Sequence, residues 1–262
     1  MIPYAPWADP RLSRKPGTLP LDPADWIEAG PDRDAQMAYR DRLIAQARDI
    51  VFAALPESAE AQAELLDTLV AHLGLPSPRA DEPPLLTAGR MVQEDFCLMR
   101  QGAPGEEYRL VAAILCFPSR WSLAEKLGHP LTHIHAPVPE YTDDLARRVN
   151  RLFEGIRAGR PLWRANWTVH PTSELHQPSG DWRQAGDGPL HIRVERQTFV
   201  RLPRSNAVVF GIRTHVAPLD AVTGAQAAAL RDALEPLGPE EVAYRGGPAM
   251  QRAALDALAG RP

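Results

Sequence analysis

The stretch GHPLTHIHAPVPEY, residues 128–141, sets His129, His133 and His135 within seven positions and follows them with two prolines that forbid a long helix. His133 and His135 are two apart, so an extended chain would carry both imidazoles on one side, where a pair can chelate one ion. An HxH pair with no third ligand in evidence is more often surface or satisfied core than a metal site. His129 reads as a loop residue, His170 and His176 flank PTSEL in a loop, and His72 sits at a helix end where an imidazole favours the dipole. A second candidate is LHIRVERQT, in which Leu190, Ile192 and Val194 point one way and His191, Arg193 and Glu195 the other. That alternation fits a sheet with one wet face, or a polar pocket beneath the sheet built on Glu195 and its arginine neighbours. No GxGxxG, Walker A, GxSxG or HExxH pattern occurs, so nucleotide, serine-hydrolase and zincin chemistry lack their local signatures.

The elements that must position these residues divide the chain into an irregular, proline-rich arm (1–33) holding Trp7 and Trp26, a helical pair (34–73), a linker (74–84), a sheet-rich core (85–220) and closing helices (221–262). Together they are expected to form a single domain over 1–262. Five strands are predicted: MVQEDFCLM, YRLVAAILCF, WRANWTV, LHIRVERQTFVRL and AVVFGIRTHV. The loops RQGAPGEE and PRSN make hairpins of the first two and last two strands. SLAEKLG reads as a short helix with a Ser122/Glu125 capping box and Gly128 at its end. Thr142 caps a helix that places Leu145, Val149, Leu152, Phe153 and Ile156 on one face and ends near Gly159. Hairpins with helices before, between and after them give an α+β fold around an antiparallel sheet.

Composition narrows the function further. A net charge of −4, with arginines interleaved among 33 acidic residues, gives nucleic-acid binding no support. The most apolar run, LVAAILCF, has eight residues against the ~20 that cross a bilayer, and the N-terminus carries no basic segment followed by an apolar one. A soluble cytoplasmic protein without a membrane partner is expected. Cys97 and Cys116 both lie in apolar runs, read as buried thiols, and are too few for a Cys₄ iron–sulfur cluster.

The succession QEDFCLM, LCFPSRWSLAEKLGHPLTHIHAPVPEY, WRANWTVHPTSELH and LHIRVERQTFVRLPRSNAVVFGIRTHVAPL resembles the heme-binding (alpha) subunit family of heme-dependent oxidative N-demethylases, from about residue 7 to about residue 220. Its most specific parts are IHAPVP, RANW and RVERQTFVRLPRSNAVVF. The resemblance implies a PAS-like fold, a five-stranded antiparallel sheet with surrounding helices enclosing a heme b. It also implies a proximal histidine hydrogen-bonded to a glutamate, roles that fall on His135 and Glu195, with His133 and then His191 as competing ligands. A carboxylate accepting from Nδ1–H gives such a ring partial imidazolate character and pushes electron density onto iron. Arg164, Arg193, Arg196, Arg201 and Arg204 become candidates for the heme propionates, because guanidinium forks match carboxylates, and Asn166 and Trp167 for lining the pocket.

The implied activity is that of a monooxygenase-type oxidoreductase: O2 and external electrons hydroxylate an N-methyl group of a small amine, dimethylamine among them, and formaldehyde is released. The chain has no flavin or nicotinamide fingerprint, so the electrons need a partner. By resemblance that partner is a flavin/iron–sulfur reductase subunit, with a folate-binding subunit to capture formaldehyde. Two other classes stay open: a heme-binding PAS-like sensor or carrier, and a heme-free structural subunit of the family.

Overall fold

A computed structural model describes residues 2–13, 17–78, 81–139, 141–179, 188–222 and 224–259. The fold is α+β, built on one open sheet in which every neighbouring pair of strands is antiparallel. Seven strands form it: β1 (Leu19–Pro20), β2 (Phe52–Ala54), β3 (Asp95–Gln101), β4 (Tyr108–Ile114), β5 (Leu162–His170), β6 (His191–Arg201) and β7 (Val208–Pro218), in the order β1-β5-β6-β7-β3-β4-β2. The five predicted strands are the five inner ones. The count of five is corrected by two short edge strands. β1 is a two-residue pairing within the proline-rich arm, and β2 lies inside the segment predicted as a helical pair.

The helical pair is real but interrupted. Helices Arg33–Gln46 and Ala59–Leu73 are separated by a four-residue turn of helix, Arg48–Val51, and by β2. The run Ile50-Val51-Phe52 is β-branched and aromatic, and the edge of β4 supplies its partners, so pairing wins over helix continuation. Both predicted hairpins form. The first carries a register shift at Leu98/Met99, and the second turns with Asn206 at φ 55°, a left-handed position that asparagine tolerates better than most residues. Thr142 caps the helix Asp143–Gly155 as expected, its hydroxyl accepting from the Leu145 N–H at 3.4 Å. That helix ends at Gly155 rather than near Gly159. Helix Leu123–Lys126 ends before Gly128, at φ 80°, but Ser122 makes no side-chain capping bond. The C-terminal segment forms three helices, Gly224–Leu234, Pro239–Tyr244 and Gly247–Leu258.

Helices cover both faces of the sheet. On one face, Phe96, Leu98 and Val209 pack against the helices of 33–73 and 84–89, and Ile192, Val194 and Val169 pack against the C-terminal helices. On the other, Cys97, Met99, Leu110, Phe199 and Ile212 meet Leu123, Leu131, Phe153 and Ile156 from the segment 122–156. Each such fully buried side chain contributes about 1.5–3 kcal/mol. Asp95, at the start of β3, fixes the exit of β4: its carboxylate takes Arg40 Nη1 at 2.6 Å and the N–H groups of Cys116 and Phe117 at 2.8 Å each. The chain thereby enters the segment that crosses the second face from an anchored point.

Candidate functional site

Antiparallel register decides which side chains share a face. Glu195 lies opposite Asn166 on β5 and Thr214 on β7, and Gln197 lies opposite Arg164. Arg164, Asn166, Arg193, Glu195, Gln197 and Thr214 therefore form a polar strip on the second face, continued by Phe199 and Arg201 toward the apolar cluster. The predicted alternation in LHIRVERQT is observed: Ile192 and Val194 enter the core of the first face.

The histidine segment packs on the same face of the sheet, with Leu131 and Ile134 in its apolar cluster. Its start is tied to β4, where Leu110 O accepts from Gly128 N at 2.7 Å and Leu110 N donates to His129 O at 3.1 Å. Leu131–His135 then forms one turn of helix rather than the extended chain that would put His133 and His135 on one side. At about 100° per residue the two rings diverge. His133 is exposed and stacks on His129 at 3.9 Å between ring centroids, whereas His135 turns inward. Among the described residues no group of three or more His, Cys, Asp or Glu side chains is gathered as a metal cage.

Two contacts define the His135 ring. Nδ1 lies 2.9 Å from the Leu131 carbonyl oxygen. A carbonyl only accepts, so Nδ1 carries the proton and Nε2 keeps its lone pair. One ring face stacks on Tyr141 at 4.4 Å with planes 13° apart. Burial holds the imidazole below its ordinary pKa, and the cations of Arg164 and Lys126 add to the effect against the Leu131 bond. His135 is thus a neutral, oriented imidazole at pH 7.

Neither cation forms a salt bridge among the described residues. Lys126 is 7% exposed and its ammonium makes no hydrogen bond or ion pair among the described residues. Arg164 is held below its ordinary pKa by burial, which Glu195 only partly offsets, and its Nε has no hydrogen-bond partner among the described residues. A buried unpaired cation is costly. Two cations thus stand near one neutral imidazole, Lys126 buried and Arg164 half-buried.

The expected hydrogen bond between His135 and Glu195 is absent, because each group is committed elsewhere. Glu195 accepts from Arg193 Nε at 3.3 Å and from Gln197 Nε2 at 3.1 Å. Arg193, almost fully buried, also donates to Phe117 O at 2.6 Å and Leu175 O at 3.1 Å, tying β6 to the loops over it. Asn166 is on the right face but exposed, its Oδ1 accepting from Trp167 N. His191, opposite His170 at the strand ends, lies two positions beyond Arg193 on the same face.

The other predicted residues are engaged with partners of their own. Arg196 projects from the first face and donates to the carbonyls of Asp25 and Trp26. Trp167 also lies on that face, under the Arg245 guanidinium at 4.8 Å and edge-on to Trp7. Arg201 shares the face of Glu195 but is spent on Ile156 O, Asn206 O and the Tyr108 hydroxyl. Arg204 is exposed in the β6–β7 connection and pairs with Asp67 at 2.7 Å. Two residues at the site were not singled out in the sequence, Lys126 and Tyr141. Lys126 follows Leu123 by three positions in SLAEKLG, so the two share a helix face and the lysine goes in with the leucine, a signal that was available. Tyr141 carried no signal beyond its place ahead of the Thr142 cap.

Among the described residues no helix is long and apolar enough to cross a membrane. A family model for "Haem-dependent oxidative N-demethylase, alpha subunit-like" matches residues 74–255, more than half of the chain and all of the site. The segments that carry the strip, the histidine turn and the unpaired cations all fall within that match, and the chain belongs to the haem-dependent oxidative N-demethylase alpha-subunit-like family.

Proposed function

We propose that this chain is the heme-binding subunit of an oxidative N-demethylase acting on a small secondary or tertiary methylated amine. The observation that carries the reading is His135, its Nε2 lone pair free and its ring near two cations, buried Lys126 and half-buried Arg164, that form no salt bridge among the described residues. The donor set suits heme b. A porphyrin brings four nitrogen donors of its own, so one protein imidazole completes the protein's share, and two propionates answer two cations. His135 would hold the iron, with Arg164 and Lys126 at the propionates; Arg193 would act through Glu195 and the Phe117 and Leu175 carbonyls rather than at a propionate. Bound heme would supply the oxygen-activating, electron-accepting centre at which an N-methyl group is oxidised and lost as formaldehyde.

The chain's own residues bind and orient. Leu131 O keeps the proton on Nδ1, Tyr141 covers one ring face, and the sheet beneath supplies the Glu195, Gln197 and Asn166 strip as a polar floor. External electrons and O2 complete the reaction, which calls for a flavin/iron–sulfur reductase partner and leaves formaldehyde for a folate-binding one. The reading includes a PAS-like arrangement of the sheet over residues 1–262 as one domain, and a cytoplasmic setting that accords with two unpaired, buried cysteines.

One observation favours a second reading, a heme-binding sensor or carrier. The backbone carbonyl that accepts from His135 draws less charge onto the ring than a carboxylate would, which weakens the push that oxygen cleavage requires. A hemin titration followed at the Soret band, comparing wild type with His135→Ala and His133→Ala, comes first. A band that only His135→Ala loses or shifts assigns the ligand. Formaldehyde is then measured with a methylated amine, oxygen and a competent reductant: its formation establishes the demethylase, its absence from heme-loaded protein selects the sensor or carrier, and no band in wild type leaves the heme-free subunit.

A further inference from the structure

Tyr141 reaches His135 by a short and specific route. After the helix Leu131–His135, Val138 N donates to His135 O at 2.8 Å and Tyr141 N to Val138 O at 2.9 Å. Pro137 and Pro139 fix φ at their own positions, and Thr142 caps the next helix immediately after Tyr141. Six residues on, the phenol ring is brought back flat against the imidazole, at 4.4 Å and 13°. Phe153 and Val149 of the following helix pack into the apolar cluster of the second face, so the residue ahead of that helix is set by a buried element.

The Leu131 contact is a single hydrogen bond, and turning of the ring about Cβ–Cγ breaks it and frees the proton to move to Nε2. A ring stacked flat on one face opposes that turning. We infer that Tyr141 is a positioning residue, which acts through its ring by holding His135 in one plane with Nδ1 protonated and Nε2 presented to the iron. The inference rests on the proposed heme reading for its consequence, but its first half is a property of the hemin-free chain.

The experiment compares wild type, Tyr141→Phe and Tyr141→Leu, with Tyr141→Thr as a second non-aromatic variant should the leucine protein fail to fold. In hemin-free protein labelled with nitrogen-15 at histidine, the His135 ring nitrogens, identified by their loss in His135→Gln, report the tautomer. Wild type and Tyr141→Phe are expected to show the Nδ1–H form alone, and the non-aromatic variants a mixture of tautomers. Hemin titration then gives a Kd unchanged in Tyr141→Phe and raised about two- to tenfold in Tyr141→Leu, with a shifted ferric spin-state spectrum, as loss of one aromatic pair implies. A non-aromatic variant that keeps both the single tautomer and wild-type hemin affinity overturns the inference. Should the tautomer depend on the ring while no variant, wild type included, binds hemin, the positioning role stands and the heme reading falls.

Discussion

Arg193 and Glu195 stand two residues apart on one face of β6 and close a charge-assisted hydrogen bond of 3.3 Å between Nε and Oε1. The carboxylate therefore serves the sheet and its covering loops before it serves any ligand. Replacing Glu195 by Ala leaves a buried guanidinium uncompensated and is expected to cost about 1–3 kcal/mol in urea denaturation. Glu195→Gln, which keeps an acceptor, costs less and changes hemin affinity by less than about threefold, the equivalent of 0.6 kcal/mol. A tenfold or larger loss in the glutamine variant would mean that heme binding moves Glu195 onto His135 after all.

Removing a cation at the site has opposite effects on the two states of the protein. Lys126→Met relieves a buried charge and Arg164→Leu a half-buried one that Glu195 only partly offsets, so the hemin-free chain is expected to gain stability in both, about 1 kcal/mol for Lys126→Met and less for Arg164→Leu. The same variants lose an ionic contact to propionate, and hemin affinity falls by about tenfold per cation. Hemin with both propionates esterified supplies the control, since it should bind wild type and variants alike. Equal affinity of all three proteins for ordinary hemin would place the propionates elsewhere.

How far the sequence could carry this reading is clearest in three places. Alternation in LHIRVERQT was enough to assign faces, because a period of two cannot be confused within an eleven-residue strand. The histidine segment was harder: LTHIH between two prolines looks extended, yet one turn of helix costs little when Pro130 sits just ahead of its first residue, and that turn separates His133 from His135. The arginines were legible as a group and not as individuals. Residues on alternating positions of β6 serve opposite faces, so Arg193 and Arg196 part company, and the Trp26 and Ile156 carbonyls that take Arg196 and Arg201 come from segments more than forty residues away. Pairings of that range leave no local signal, and neither does the return of Tyr141 onto His135.

Asp95 offers a test of how the site depends on its anchor. Its carboxylate neutralises the fully buried Arg40 and accepts the N–H groups of Cys116 and Phe117, whose carbonyls in turn take His176 and Arg193. Asp95→Ala breaks a buried pair from one side and is expected to cost about 3–5 kcal/mol. In protein that still folds, hemin binding weakens as well, because the Phe117 carbonyl that seats Arg193 is no longer fixed. Stability loss without any change in hemin affinity would show the anchor and the site to be independent.

Glu94 gives the chain a stability that varies with pH in an unusual direction. Burial pushes its carboxyl up to about 7, against the smaller pull of the Glu28 N–H and the nearby Arg213 and Arg196. Below about pH 4.5 both folded and unfolded chains carry the proton, and the group exacts nothing. Between 4.5 and 7 the unfolded chain releases its proton while the folded one keeps it, so this group lowers stability as pH rises; above 7 the penalty is constant, at about 3 kcal/mol at most. Glu94→Gln keeps an acceptor for the Glu28 N–H, which lies at 2.8 Å, and removes the titration. The variant should match wild type near pH 4.5 and exceed it progressively toward pH 8 in urea denaturation. A difference that is flat across this range would show that Glu94 is already ionised in the folded chain, held by its arginine neighbours, and that burial is the weaker of the two influences on it.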